Sequence, residues 1–207
     1  MFFYNSKYEN DFRVNFIDNY FIFKLKSGDN VVDAGAYIGA FAVYTAKVVG
    51  PNGKVIAFKP DPLSYIKLLA NIKLNKLKNI IVIKKGLWDK STELTFYNGQ
   101  GAGSSCIYGD NNTNPIIIKT VKLDEEIKRI GVEKIDFVKM DIEGAEIEVI
   151  DSLKNWLDKN AVNFAIASYH MRNNVRTSKR LEVILKECGY RAKTSFPEHL
   201  TTYASKE

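Results

Sequence analysis

Cysteine is scarce in this chain and long apolar runs are missing, and each shortage excludes a class of protein. The two cysteines, Cys106 and Cys188, supply neither a disulfide framework nor a set of zinc ligands. No apolar run approaches the roughly 18 residues that a membrane span requires. Residues 1–7 lack a basic region followed by a long apolar core, so we expect no secretory signal. These shortages favour a cytoplasmic protein without a membrane partner.

Clustered basic charge is also missing, although the formal net charge is +6. The lysines are spread along the chain, with no arginine-rich block and no aromatic–basic repeat of the kind found in RNA-binding modules. We interpret most of them as solvated surface and expect no clear nucleic-acid partner. A length of 207 residues, 45% of them hydrophobic, suits one domain with a sizeable core.

Short apolar runs alternate with stretches of helical periodicity through most of the chain. The runs that have the length of buried strands are Val31–Val32, Val55–Phe58, Ile80–Ile83, Ile135–Met140 and Phe164–Ala167. The helical stretches are Ile38–Val49, Leu63–Leu74, Leu123–Ile130, a helix that ends near Leu157, and Thr177–Cys188. In the second helix we expect Ile66, Leu69 and Ala70 to face the core. This alternation predicts right-handed βαβ units and a mostly parallel sheet.

The two ends of the chain depart from this alternation. Residues 9–26 carry apolar side chains at helical spacing, which predicts a helical segment, residues 1–27, packed on the main domain. Residues 190–194 and 200–205 are strand-like with no helix between them, which predicts an antiparallel pair. We therefore expect a single α/β domain over residues 28–207, with a sheet of about seven strands.

A third departure lies in the middle of the chain. Strand-like runs at 93–97 and 116–122 flank the loop Asn98–Pro115, which is rich in Gly, Ser and Asn. This pattern predicts a hairpin insertion around residues 92–122 with a functional or mobile loop. An exposed hairpin edge can pair with a second copy of the chain, so a homodimer is a possible assembly.

Polar residues or glycine stand at the end of every predicted strand of the main sheet. These ends are Asp33-Ala34-Gly35, Lys59-Pro60-Asp61, Lys85-Gly86-Leu87, Asp141-Ile142-Glu143 and His170. Open α/β folds bind ligands outside the carboxyl ends of their strands, so we predict the site at this edge of the sheet. Gly35 permits a tight turn from strand to helix. Asp33 either contacts the ligand or ties down that turn through backbone amides.

The turn after the first strand argues against a dinucleotide. The G-x-G-x-x-G pattern would need glycine at Ala34 and Ala36 as well as Gly39. Ala36 would hold a pyrophosphate away from the helix N-terminus, which disfavours a nucleotide-dependent oxidoreductase. S-adenosylmethionine has no pyrophosphate, although its ribose needs a hydrogen-bond acceptor at the end of the second strand, by analogy with dinucleotide folds.

Four blocks together resemble the FkbM-type methyltransferases, namely Val31–Gly39, Ala57–Pro62, Asn71 with Asn75, and Phe137–Glu146. The resemblance covers roughly residues 28–170. It implies the Rossmann-like class I methyltransferase fold, a seven-stranded, mostly parallel sheet in the order 3-2-1-4-5-7-6 with one antiparallel strand and helices on both faces. It also implies S-adenosylmethionine as cofactor and O-methylation of a small-molecule or glycan hydroxyl. The predicted cofactor-binding residues are Asp33, Gly35, Ala36, Tyr37, Gly39, Lys59, Pro60, Asp61, Gly86, Leu87 and Asp141.

The chain departs from the family at Lys59, where the family normally has a glutamate that receives the ribose hydroxyls. A charged lysine cannot accept a hydrogen bond. Either Asp61 substitutes for the glutamate, or Lys59 turns out to solvent, or cofactor affinity is lost. The last case would leave a non-catalytic binding module on the same fold, and a cation here would also suit a phosphorylated nucleotide.

Asp141, Glu143 and His170 are the predicted catalytic residues. An acid directly after a buried strand is costly unless it is paired or used, which singles out Asp141. Any of the three is a candidate base for the acceptor hydroxyl. Glu143 and Glu146 have an alternative role at the N-terminus of the following helix, more strongly for Glu146. We predict no metal, although these three side chains would be the ligands if one were bound.

Overall fold

A computed structural model describes residues 18–97, 105, 107, 115–195 and 199–206 of the chain. The strands are β1 (Asn30–Ala34), β2 (Lys54–Phe58), β3 (Ile80–Ile83), β4 (Gly86–Leu87), β5 (Thr92–Tyr97), β6 (Pro115–Val121), β7 (Phe137–Met140), β8 (Asn163–Ala167), β9 (Met171–Arg172), β10 (Val175–Arg176), β11 (Arg191–Ser195) and β12 (Thr201–Ser205). The helices are α1 (Ala40–Val49), α2 (Pro62–Leu74), α3 (Leu123–Arg129), α4 (Glu146–Ser152), α5 (Lys154–Leu157) and α6 (Thr177–Glu187).

Seven strands form the central sheet, in the order β3-β2-β1-β7-β8-β12-β11. Strand β12 runs antiparallel to both of its neighbours, and the other pairs are parallel. This is the order that the family resemblance implies, so the prediction of a mostly parallel sheet with one antiparallel strand is confirmed. Strand β1 lies at the centre, between β2 and β7, and therefore carries its carboxyl end into the middle of the ligand-binding edge.

Helices cover both faces of the sheet. Successive residues of β1 point to opposite faces and therefore pack in different core clusters. Val31 packs in a cluster with Phe41 and Ala42 of α1. Val32 packs in a cluster with Leu181 and Ile184 of α6. The predicted placement of helices on both faces is confirmed. Among the residues described, no helix is long and apolar enough to cross a bilayer.

A second, three-stranded sheet in the order β4-β6-β5 stands beside the ligand-binding edge. Strands β5 and β6 pair antiparallel, as predicted for the hairpin insertion, and Gly86 and Leu87 add to β6 in parallel. Ser105 of the connecting loop bridges to Tyr97 at the end of β5. The rest of the predicted functional loop, 98–104, 106 and 108–114, lies outside the described residues.

The predicted helix over residues 9–26 is wrong in the part that the structure describes. Residues 9–17 lie outside that part, and residues 18–26 contain one 3-10 turn, Asp18–Tyr20, and no α-helix. Beyond Tyr20, half-buried Phe21, Phe23 and Leu25 alternate with exposed residues, a period of two that suits an extended segment rather than a helix.

The predicted core face of α2 is also wrong. Ile66 is 60% exposed and Leu69 is 42% exposed, whereas Leu68 and Asn71 are buried. The Asn71 side-chain amide donates to the Ile38 carbonyl oxygen at 2.8 Å. This buried bond, together with the packing of Leu68 against Gly39, fixes the rotation of α2 more strongly than its apolar pattern does.

Candidate active site

A cleft opens at the carboxyl ends of β1, β2 and β7, between the central sheet and the small second sheet. Its lining includes the predicted residues Gly35, Tyr37, Lys59, Pro60, Gly86, Leu87, Asp141 and Glu143. The remaining lining residues are Lys85 and Ile142, which belong to the predicted strand ends, and Phe58, Phe96, Ile118 and Ala145, which were not predicted as site residues. The strand ends that looked separate in the sequence therefore face one cavity, which carries both apolar walls and carboxylates.

Gly35 holds the strand-to-helix turn in a conformation that few other residues could adopt. Its φ is +81°, and a Cβ built on it would lie 1.8 Å from the Asp141 carbonyl oxygen. The Gly35 and Ala36 N–H groups both donate to the Phe58 carbonyl oxygen, at 3.2 and 3.1 Å. Tyr37, with φ +47°, is also left-handed, which is a conformation that costs a non-glycine residue free energy. The turn is thus strained and close-packed where it meets the cleft.

A buried ion pair stabilises this turn. Asp33 and Lys139 are register partners on β1 and β7, and Lys139 Nζ lies 3.1 Å from Asp33 Oδ1. The same ammonium donates to the Gly35 carbonyl oxygen at 2.9 Å. Burial raises the pKa of Asp33, and Lys139 opposes that shift. Asp33 therefore supports the turn through Lys139 and is absent from the cleft lining.

Three more predicted cofactor residues have structural positions behind the cleft. Ala36 is buried in the core cluster that contains Phe41 of α1. Gly39 precedes α1, and a Cβ there would come 2.4 Å from Leu68 Cδ1. Asp61 is the N-cap of α2, where Oδ2 accepts the Ser64 N–H at 2.6 Å. That bond uses one of the two oxygens that Asp61 would need as a substitute ribose acceptor.

Lys59 lies inside the cleft wall and does not turn out to solvent, so that alternative is wrong. The residue is 6% exposed. Its Nζ lies 5.9 Å from the centroid of the Tyr37 ring. Burial lowers the pKa of Lys59, and the carboxylates of Asp61 and Glu143 oppose that shift only in part.

Asp141 is held at the cleft by two tyrosine hydroxyls. Tyr20 Oη donates to Oδ2 at 2.9 Å and Tyr169 Oη donates to Oδ1 at 3.2 Å. Burial alone would raise the pKa of Asp141, but the positive charges of Lys139 and His170 outweigh it and hold that pKa below the ordinary value. Asp141 is therefore an ionised, oriented carboxylate.

His170 sits between the carboxylates that follow β7. Nε2 lies 3.3 Å from Glu143 Oε2 and 3.9 Å from Asp141 Oδ1, and Nδ1 lies 3.4 Å from Glu146 Oε1. These are ion-pair distances, since neither ring nitrogen has the alignment of a hydrogen bond. Burial lowers the pKa of His170, but Glu143 and Glu146 outweigh it and raise that pKa to about 10. The imidazole is thus positively charged at neutral pH.

The two glutamates of this cluster differ in role. Glu146 is fully buried, and its Oε1 accepts the N–H groups of Ile142 and Gly144 at 2.9 and 3.3 Å, which ties down the turn before α4. Glu143 has φ +58° and lines the cleft. Donor atoms of Asp141, Glu143 and His170 lie within 4.8 Å of one another, a spacing that a shared cation could bridge.

Several residues of the site escaped the sequence reasoning. Lys139 had a signal, since a lysine in an otherwise apolar central strand must find a buried partner. Tyr20 and Tyr169 had none, because no spacing in the sequence connects them with Asp141. Ser105 is 1% exposed, and its hydroxyl donates to the Glu143 carbonyl oxygen at 2.8 Å, so the hairpin loop reaches the site.

Comparisons with known proteins identify the family and the fold of this chain. A family model described as the methyltransferase FkbM domain matches residues 33–192. The chain is 30% identical to methyltransferase sdnD of Sordaria araneosa, over 69% of this chain and 68% of that protein. It is 29% identical to hexuronic acid methyltransferase AglP of Haloferax volcanii, over 69% of this chain and 56% of that protein. It is 26% identical to 2-O-methyltransferase NoeI of Sinorhizobium fredii, over 53% of this chain and 51% of that protein.

The chain thus spans 51% to 68% of the length of these curated relatives. Among solved structures, methyltransferase FkbM of Methylobacillus flagellatus matches with a TM-score of 0.65 at 18% identity, over 97% of this chain and 50% of that one. A methyltransferase of Aquifex aeolicus, described as SAM dependent, matches with a TM-score of 0.56 at 17% identity, over 96% of both chains. At such identities the two structures support the fold alone.

Proposed function

The chain belongs to the FkbM family of S-adenosylmethionine-dependent methyltransferases, and we propose that it methylates a hydroxyl group of a sugar or another small molecule. One observation carries this proposal: Asp141 and Glu143 line the same cleft as the glycine turn at Gly35 and the strand end at Gly86. A donor held by the glycines would therefore lie beside carboxylates able to receive a proton. Relatives described as hexuronic acid and 2-O-methyltransferases support a sugar acceptor.

The lining fits the donor in most respects. Gly35 is part of the cleft lining, and Leu87, Phe96 and Ile118 supply apolar contacts for an adenine ring. Lys59 is the exception, because it places a hydrogen-bond donor where an acceptor is expected. When bound, S-adenosylmethionine supplies a methyl group on a positive sulfur: the bond from methyl to acceptor oxygen forms as the bond to sulfur breaks, and that electron pair stays on sulfur.

The residues of the chain would position the acceptor and take its proton. His170 already carries a proton below a pH of about 10, so it holds positive charge rather than acting as the base. Both oxygens of Asp141 accept tyrosine hydroxyls, whereas Glu143 faces the cleft. We therefore assign proton removal to the Glu143 carboxylate, with Asp141 and His170 orienting it and the acceptor.

Transfer of labelled methyl from S-adenosylmethionine to a panel of neutral hexoses, hexuronic acids and small alcohols tests the function. We expect label in at least one sugar, and a loss of about 10²-fold or more in the Glu143→Gln variant, the contribution typical of a general base. Glu93→Gln, on the exposed side of β5, is the matched control and should transfer at the wild-type rate. Equal rates for Glu143→Gln and wild type would refute the assigned base.

A non-catalytic binding module is the second candidate, and buried Lys59 is the observation that favours it. A module of this kind would bind sugars or nucleotides but transfer no methyl group to any member of the panel. Wild-type protein that binds no S-adenosylhomocysteine, together with a Lys59→Glu variant that does, would support this candidate over the enzyme.

Assembly and location are proposed on narrower grounds. Strand β5 is an edge of the small sheet and is a surface through which two copies could pair, which light scattering can test as a homodimer mass. Buried, free Cys188 suits a reducing compartment such as the cytoplasm, which fractionation of the source cells can test.

A further inference from the structure

Lys59 differs from Lys139 and Lys85 at the cleft in having no carboxylate and no hydrogen-bond partner among the described residues; its ammonium group contacts only the Tyr37 ring. Lys139 pairs with Asp33 at 3.1 Å, and Lys85 pairs with Glu126 at 3.3 Å. Lys59 is 6% exposed, and the structure records neither an ion pair nor a hydrogen bond for its ammonium group. Its Nζ lies 5.9 Å from the Tyr37 ring centroid, and the residue forms part of the cleft wall.

The groups around Lys59 leave its donors for a ligand. Asp61, Asp141 and Glu143 act on it electrostatically, and Lys139 acts in the opposite sense. Asp61 Oδ2 accepts the Ser64 N–H and Asp61 Oδ1 accepts no hydrogen bond, and no described carboxylate lies within the 4.0 Å of an ion pair with Lys59. Buried charges are normally paired, because an unpaired one loses its hydration without compensation. A ligand oxygen in the cleft would supply the missing partner.

The position of Lys59 identifies which ligand group this is. Lys59 directly follows β2, the neighbour of β1, and in such folds the ribose of a nucleotide lies at the end of this second strand. An acid there accepts hydrogen bonds from the ribose hydroxyls. A hydroxyl oxygen also accepts, while an ammonium group has three donors and no acceptor. In this chain the protein must therefore donate hydrogen bonds to the ribose oxygens instead of accepting them from the ribose hydroxyls.

We propose that Lys59 donates hydrogen bonds to the ribose oxygens of the methyl donor, so that the ribose end of the cleft also favours an anionic group on that sugar. The identity of the donor rests on the proposed function; the preference for negative charge at this end of the cleft does not. Burial lowers the pKa of Lys59, and an accepting ligand oxygen would favour its charged form again.

Calorimetric titrations with three named probes test the proposal: S-adenosylhomocysteine, adenosine and adenosine 3′-monophosphate. We expect wild type to bind the 3′-monophosphate about tenfold or more tightly than adenosine. A hydrogen bond to a charged group contributes enough free energy to change a dissociation constant by about that factor. Lys59→Met should bring that ratio close to unity and weaken S-adenosylhomocysteine by about tenfold. Lys84→Met, whose ammonium lies over the Tyr65 ring, is the matched control and should bind all three probes as wild type does.

Other results of these titrations would overturn either this proposal or the proposed function. A ratio at or below unity in wild type, or one unchanged in Lys59→Met, overturns the proposal. Tighter binding of S-adenosylhomocysteine by Lys59→Met than by wild type overturns it as well, since Lys59 would then obstruct the ribose. If neither wild type nor Lys59→Glu binds S-adenosylhomocysteine, the proposed function fails, whatever the ratio for the two adenosine probes. Thermal unfolding without ligand checks that each variant is folded, and Lys59→Met should not lower the Tm.

Discussion

The substitution Gly35→Ala tests the junction on which the site depends. A Cβ at this position would lie 1.8 Å from the Asp141 carbonyl oxygen, and real Cβ contacts essentially never fall below 3.0 Å. The ends of β1 and β7 must therefore move apart by about 1.2 Å, although Asp141 N–H donates to the Ala34 carbonyl oxygen at 3.0 Å across the same junction. The substitution thus perturbs the turn and Asp141 together.

The size of the effect follows from two separate costs. Left-handed backbone at an alanine costs about 1–2 kcal/mol. Overpacking adds about 1–3 kcal/mol. We expect Gly35→Ala to lose about 2–5 kcal/mol of unfolding free energy, and about 10²-fold in transfer rate because a shift of about 1 Å misplaces Asp141.

Gly28→Ala separates the two costs. Gly28 has φ +92°, and nothing lies within 4 Å of a Cβ built there, so this control incurs the backbone cost without the collision. Urea unfolding of both variants measures the difference, which we expect to be about 1–3 kcal/mol. Equal losses of stability in the two variants, or wild-type transfer by Gly35→Ala, would refute the reasoning about this junction.

Three further predictions concern the charged cluster. Glu143 and Glu146 raise the folded-state pKa of His170 from 6.5 to about 10, so its ion pairs stabilise the fold fully below pH 6.5, and this stability is lost as pH rises through 10. The excess unfolding free energy of wild type over His170→Gln should therefore shrink as pH rises from 6.5 towards 10, and a constant difference over this range would contradict it. Tyr20→Phe removes a hydrogen bond to the partly buried Asp141 carboxylate and should cost about 1.5–3 kcal/mol in unfolding free energy. Tyr65→Phe, outside the cleft lining, should change little. We also predict that EDTA leaves the transfer rate unchanged; restoration of a lost rate by Mg²⁺ at Asp141, Glu143 and His170 would contradict the prediction of no metal.

The sheet was readable from the sequence because its signals are local. The run Val31–Val32 of strand β1 is apolar and fully buried, and a glycine, Gly35, directly follows the strand. Repetition of that pattern at Lys59, Gly86, Asp141 and His170 located the ligand-binding edge. The structure adds that four of these five strand ends, those other than His170, line one cleft.

The features that the sequence did not predict depend on contacts between residues far apart in the chain. Leu69 is exposed whereas Leu68 and Asn71 are buried, and the Asn71 side chain donates to the Ile38 carbonyl oxygen, a bond that no apolar pattern encodes. Tyr20 reaches Asp141 across most of the chain, which periodicity cannot reveal. Lys59 remains buried because the cleft wall closes around it, a property of tertiary packing rather than of residue type.

A crystal structure with S-adenosylhomocysteine tests the central claim most directly. The account predicts one molecule in the cleft, in contact with the Gly35 backbone. Its adenine should lie near Leu87 and its ribose oxygens within hydrogen-bond distance of Lys59 Nζ. Its sulfur should face Glu143 and His170. A ligand bound elsewhere, or a ribose turned away from Lys59 with the lysine still unpaired, would contradict it.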